Sequence, residues 1–171
     1  MKTLKYLAIL PLMAAASQAI TLDVGVGYAT PKPYDGGTVV GFGIGTQLNR
    51  EFHLGLNYAQ KNIVSTANLV DAKARAVTLD LTYELNSSPY AAIRPFVGVG
   101  VGVVRFSGAS IATGSTSATK LFAGIAFKLS NTVDVILTEQ NVKFYNVQEL
   151  AGGPKIGVTS WESVAALRFK F

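Results

Sequence analysis

The 171-residue chain has no cysteine, one histidine and one tryptophan. Without cysteine there is no disulfide, no thiol nucleophile and no thiolate metal site. The acids Asp35, Asp71 and Glu149 stand singly between patterned segments, too sparse for a calcium loop. No cluster of metal-ligating residues is found, and no cofactor is expected. Long apolar runs are missing too. Beyond residue 19 no stretch reaches 18 apolar residues, which excludes a membrane-spanning helix. Charge is scarce, with 15 basic and 10 acidic residues and no block of one sign. This leaves no nucleic-acid footprint. Yet the mean hydropathy is +0.34, high for a protein that keeps to water.

The first 19 residues carry the marks of a secretory signal. Lys2 and Lys5 precede an apolar run of 11 residues, Tyr6 to Ala16, and Ser17-Gln18-Ala19 follows with small residues at the cleavage-reading positions. Eleven residues are too few to span a bilayer as a helix, which needs about 20. The expectation is export by the Sec route, with 20–171 as the mature chain. Removing the two lysines leaves 13 basic and 10 acidic residues. A hydrophobic exported chain without a spanning helix has one common membrane solution, a closed β-barrel, because only helices and closed barrels satisfy every backbone polar group in lipid.

The residues support it. From Trp161 the chain alternates: Trp161, Ser163, Ala165, Leu167, Phe169 and Phe171 form one set, Glu162, Val164, Ala166, Arg168 and Lys170 the other. A strand sends these sets to opposite faces. This last segment is taken as Val158–Phe171, and seven further segments alternate: Ile20–Tyr28, Thr38–Leu48, Phe52–Gln60, Ala72–Leu85, Arg94–Phe106, Ala118–Leu129 and Val133–Tyr145. The second half of the seventh (Glu139, Asn141, Lys143) is polar, which predicts a bulge or a rise out of the membrane. Short connectors (Asn49–Glu51, Asn86–Ile93, Ser130–Thr132) alternate with longer, glycine-rich ones (Ala29–Gly37, Lys61–Asp71, Ser107–Ser117, Asn146–Gly157). Short turns on one side and long loops on the other suit an outer-membrane barrel, long loops outside.

The charges decide which face meets lipid. Asp23, Asp80, Glu84, Lys120, Lys128, Asp134, Glu162, Arg168 and Lys170 alternate with apolar neighbours. A basic side chain on the lipid face near the midplane costs about 2–4 kcal/mol. These nine residues are therefore assigned to the lumen as a charge network, either structural or a proton or ion path. Aromatics at the strand ends form two interfacial belts: Phe52, Tyr83, Phe127, Phe169 and Phe171 at the turn end, Tyr28, Tyr58, Tyr145 and Trp161 at the loop end.

On these features the chain resembles the small eight-stranded outer-membrane β-barrel proteins of the OmpA/OmpX-like superfamily. The resemblance covers 20–171. Its most specific part is the last strand, where Ala165, Leu167, Phe169 and Phe171 match the family's alternation closed by phenylalanine. It implies that Phe169 and Phe171 serve as the signal read by the barrel assembly machinery. It also implies contact with outer-membrane lipid and lipopolysaccharide in a Gram-negative host, as a monomer.

Function is less legible. The lipid A deacylases of this superfamily are of similar size and would need a Ser-His-acid arrangement. His53, however, follows the short Asn49–Glu51 turn, at the end away from the outer leaflet, and Gly55 holds the next position on its face. The reading for His53 is a lumenal or interfacial polar residue. Gly25, Gly27, Gly41, Gly43, Gly45, Gly55, Gly98, Gly100, Gly102 and Gly124 crowd the inward face. They lack the strand-to-helix context of a phosphate cradle. Either they make room for Phe96, Phe106, Phe122, Arg168 and Lys170, or they leave a thin water path. The expected function is accordingly a non-enzymatic surface protein, with a narrow channel or small apolar-ligand carrier and a lipid A-modifying enzyme as alternatives.

Overall fold

The computed structural model describes residues 19–32, 35–63, 72–85, 91–108, 114–148 and 155–171. Eight strands follow one another: β1 (Ile20–Lys32), β2 (Gly37–Gln47), β3 (Phe52–Ile63), β4 (Ala72–Glu84), β5 (Ile93–Gly108), β6 (Gly114–Lys128), β7 (Val133–Gln148) and β8 (Lys155–Lys170). Each pairs antiparallel with the next, and β8 pairs with β1 to close the barrel. Closure removes the sheet edges that lipid could not satisfy. At the seam Leu22 faces Phe169 and Asp23 faces Arg168. The last amide is also used, since Phe171 N–H donates to the Ile20 carbonyl at 2.9 Å.

The turns are tight because their side chains substitute for backbone partners. Asn49 Oδ1 accepts from the N–H groups of Glu51 and Phe52, both at 2.8 Å. Ser130 Oγ accepts from the N–H groups of Thr132 and Val133 at 3.2 and 3.0 Å. These turns, with the start of β1 at Ile20 and the end of β8 at Lys170, define the turn end. The opposite rim is the loop end.

The expected inversion of polarity holds over the lower part of the wall. Val26 (61% exposed), Phe42 (58%), Leu79 (49%), Val99 (53%) and Leu121 (64%) point outward. The charged and glycine positions between them point in. Aromatics also pair on the outer face, Phe42 with Tyr58 and Phe52 with Tyr83, with centroids 5.1 and 5.0 Å apart.

Toward the loop end the polarity flips back. On β4 the outward set passes from Val77 to Arg75 and Lys73, while Ala76 and Ala74 turn inward and are buried. On β5 it passes from Val103 to Arg105, while Val104 and Phe106 are buried. Val142, Phe144, Val147 and Val158 complete one apolar cluster with these residues inside the barrel. Above the apolar belt, then, the wall is built as in a water-soluble barrel, oily within and polar without.

This upper storey corrects the predicted boundaries. The strands run past the apolar alternation: β1 to Lys32, β3 to Ile63, β5 to Gly108 and β7 to Gln148, while β6 and β8 begin earlier, at Gly114 and Lys155. Much of what read as long loop is wall. The reason is the change of parity: apolar residues move from odd to even positions on β5 and β7, so a single alternating template ends too soon. Of the two readings of the polar half of β7, a bulge is present just beyond it, as a register shift between Phe144 and Val147, with Asn146 in the left-handed region at φ 55°. The signal assigned to 1–19 lies, except for Ala19, outside the described residues.

Candidate functional site

The chemistry of this chain is concentrated inside the barrel, where ionisable side chains from seven strands form three tiers. The lowest tier surrounds Arg168 on β8. Its Nε and Nη2 donate to Asp23 Oδ1 and Oδ2 at 2.8 and 2.9 Å, a two-pronged contact between register neighbours. Its Nη1 lies 4.0 Å from Glu84 Oε1. Glu84 also meets Arg94 Nη1 at 3.5 Å. Arg94 reaches Asp134, which accepts from Lys170 Nζ at 2.8 Å. Lys128 stands opposite Asp134 in the β6–β7 register. Asp134 and Glu84 are buried (0% and 2% exposed). A carboxylate so placed is tolerable only with cations and donors around it.

The middle tier is Asp80, whose Oδ2 accepts from Lys120 Nζ and, at 2.7 Å, from Asn57 Nδ2. Its Oδ1 has no partner among the described residues. Lys120 Nζ also lies 4.9 Å from the centroid of the Phe122 ring. The upper tier is Lys61 with Glu162, which also accepts from Gln140 Nε2 at 2.6 Å. Lys61 Nζ sits 5.0 Å from the centroid of Phe144. Phe144 and Phe106 meet edge to face, at 89° and 5.5 Å, and their apolar cluster lies above this pair.

Eight of the nine sequence-assigned charges, all but Lys128, take part in the ion pairs just described, but sequence reasoning missed important partners. Lys61, placed in a loop, is a buried strand residue of β3. Arg94 lay inside a predicted segment without being counted. The usable signal was parity: Lys61 shares the inward set of Ala59 and Asn57, and Arg94 that of Phe96 and Gly98.

His53 joins the lowest tier. Its Nε2 is 3.1 Å from Glu84 Oε1, an ionic contact when protonated, but neither ring nitrogen has a hydrogen-bond partner among the described residues. No nucleophile among the described residues is hydrogen-bonded to it. Among the described residues no group of three or more His, Asp or Glu is arranged to hold a metal.

The inward glycines make room for long side chains. A Cβ on Gly43 would strike Asn57, and one on Gly100 would strike Asp80. Gly98 and Gly124 leave the space that Phe122 and Phe96 fill. Between the tiers a cavity of about 150 Å³ remains, lined among others by Asp23, Asn57, Asp80, Thr138 and Gln140. Such a polar space suits bound water.

Solved structures repeat this architecture. Neisserial surface protein A is similar at a TM-score of 0.69 and 16% identity, covering 90% of this chain and 96% of that one. The outer membrane protein OprG from Pseudomonas aeruginosa gives 0.66 and 16%, with coverage of 90% and 96%. The outer membrane enzyme PagL gives 0.60 and 14%, with coverage of 84% and 97%. At these identities the likeness is one of fold. No curated protein matches the chain by sequence. Residues 4–169 match the family of the outer membrane protein beta-barrel domain, so the chain belongs to that family and is an eight-stranded transmembrane barrel of the outer membrane.

Proposed function

We propose that this barrel is a non-enzymatic, monomeric surface protein that stiffens the envelope or meets the surroundings through its loop end, held toward the cell exterior. In this reading residues 1–19 are removed on Sec export, and Phe169 and Phe171 are read by the assembly machinery. The observation that carries it is how much of the interior is filled by side chains around a small cavity. Phe144, Val104, Glu162 and Asp134 are each at most 1% exposed, so the upper cluster and the ion pairs occlude the axis. His53, beside Glu84 and with no nucleophile bonded to it among the described residues, supports a role without catalysis.

The test is conductance in planar bilayers together with lipid A mass spectra after expression. The expected results are no current above background and unchanged lipid A. Steady single-channel current from the wild-type chain, or a lost acyl chain, would overturn the proposal. Bulky residues at Gly43 or Gly100 make poor pore-blocking controls, because they would displace Asn57 and Asp80. Phe144→Ala is the better control, since it opens the upper cluster.

A further inference from the structure

The cations divide into two kinds. Inside the barrel Lys61, Arg94, Lys120, Arg168 and Lys170 each have an acidic partner. Outside, at the loop-end edge of the apolar belt, Lys73, Arg75 and Arg105 are exposed. None of these three has an acidic partner among the described residues. Arg75 and Arg105 are moreover directly opposite each other in the β4–β5 register. Like charges so placed repel and destabilise a strand pair. Lys73, two residues from Arg75 on the same face, adds a third positive charge diagonal to Arg105. Arg75 Nε donates to Gln60 Oε1 at 3.3 Å, which orients the guanidinium and leaves its terminal nitrogens for another acceptor. An anion bridging the two arginines would turn the repulsion into attraction, and phosphate matches the guanidinium fork.

Directly below, the outward residues are Val77 (40% exposed) and Leu79 (49%) on β4, and Val101 (60%) and Val103 (59%) on β5. An oily strip capped by unpaired cations is complementary to an amphiphile with acyl chains and an anionic head. A free anion would use only the cap.

We propose that Arg75 and Arg105, assisted by Lys73, clamp a phosphate of a lipid A-type phosphoglycolipid in the outer leaflet, its acyl chains lying along β4 and β5. This rests on the reading that the loop end faces the cell exterior.

The full-length barrel, folded in detergent micelles, would be titrated with bisphosphorylated lipid A, its dephosphorylated counterpart and inorganic phosphate, and read by native mass spectrometry. One bisphosphorylated lipid per barrel is expected, with the other two binding far more weakly. Neutralising each arginine should weaken binding on the order of tenfold, since each removes charge-assisted contacts. Arg75→Gln/Arg105→Gln should therefore lose binding, while Arg75→Lys/Arg105→Lys keeps the charge, loses the fork and falls between. Lys143→Gln, on β7, should bind like wild type. Heat-modifiability on gels verifies that each variant is folded.

Wild-type affinity in the double Gln variant would overturn the proposal. So would equal binding of the dephosphorylated lipid, or inorganic phosphate binding as well as the lipid does. Orientation is tested separately. The chain lacks cysteine, so Asp35→Cys offers a unique site for an impermeant maleimide on intact cells. Absence of labelling would refute the orientation while leaving the micelle result to judge the clamp.

Discussion

Replacing Glu162 by glutamine isolates an ammonium group at the centre of the wall. Lys61 is 2% exposed and Glu162 1%. The next tier's acid, Asp80, is already engaged by Lys120. Breaking a buried pair by removing one partner costs about 3–5 kcal/mol, because the survivor keeps its charge without compensation. Glutamine retains an oxygen to accept from Lys61, and the Phe144 ring still faces Nζ, so the loss should fall at the lower end. Leucine keeps no acceptor and should approach the upper end. With a urea slope of about 2 kcal/mol per molar, Glu162→Gln should lower the unfolding midpoint in lipid vesicles by roughly 1.5 M. Trp161, the single tryptophan, is adjacent to Glu162 and points outward, so its emission reports on departure from lipid. Lys61→Met/Glu162→Leu removes both charges and should lie within about 1 kcal/mol of wild type, since a buried pair is replaceable by apolar residues of similar volume. A cost below about 1 kcal/mol for Glu162→Gln, or a cycle additive within about 0.5 kcal/mol, would refute the reasoning.

Three further outcomes are expected. Leu81→Arg puts a cation among acyl chains at a cost of about 2–4 kcal/mol and should abolish the folded band in a heat-modifiability assay, whereas Thr82→Arg, facing inward, should keep it; equal effects would contradict the face assignment. Phe144→Ala removes an edge-to-face pair and a cation–π contact, so it should destabilise by about 3–5 kcal/mol and raise bilayer current; a stable, silent variant would show that another residue closes the axis. Glu139 is exposed on the outer face of β7, opposite Ala123 and Ser163. Glu139→Leu should therefore stabilise the barrel in vesicles by about 1 kcal/mol, less than the arginine penalty on the lipid face, and a lowered midpoint would refute its placement in the apolar belt.

The architecture was legible because the lower wall obeys one rule. In Val97, Val99, Val101 and Val103 the oily residues keep a single parity, and Gly98, Gly100 and Gly102 keep the other. Where lipid gives way to water the rule reverses, and reading by one template fails there. Lys61 is the clearest casualty: it follows Gln60 and precedes Asn62, and three polar residues in a row look like loop. Only the barrel's interior shows that the middle one turns toward Glu162, 101 residues away in sequence. Arg94 was lost for a related reason, since it borders a proline and a polar connector, and the acids it serves, Glu84 and Asp134, lie on other strands. Alternation reports which face a residue takes. It does not report which charges a closing barrel brings within reach of one another.

The reversal of parity along β4, β5 and β7 also has a mechanical reading. The barrel is two vessels stacked rim to rim, the lower seated in oil and the upper standing in water on its own hydrophobic filling. The connecting segments at the far rim are rooted in the upper vessel and not in the bilayer. Changes of length or composition at their tips would be absorbed by that collar before reaching the seat, which leaves the far rim free to diversify while the anchorage stays put.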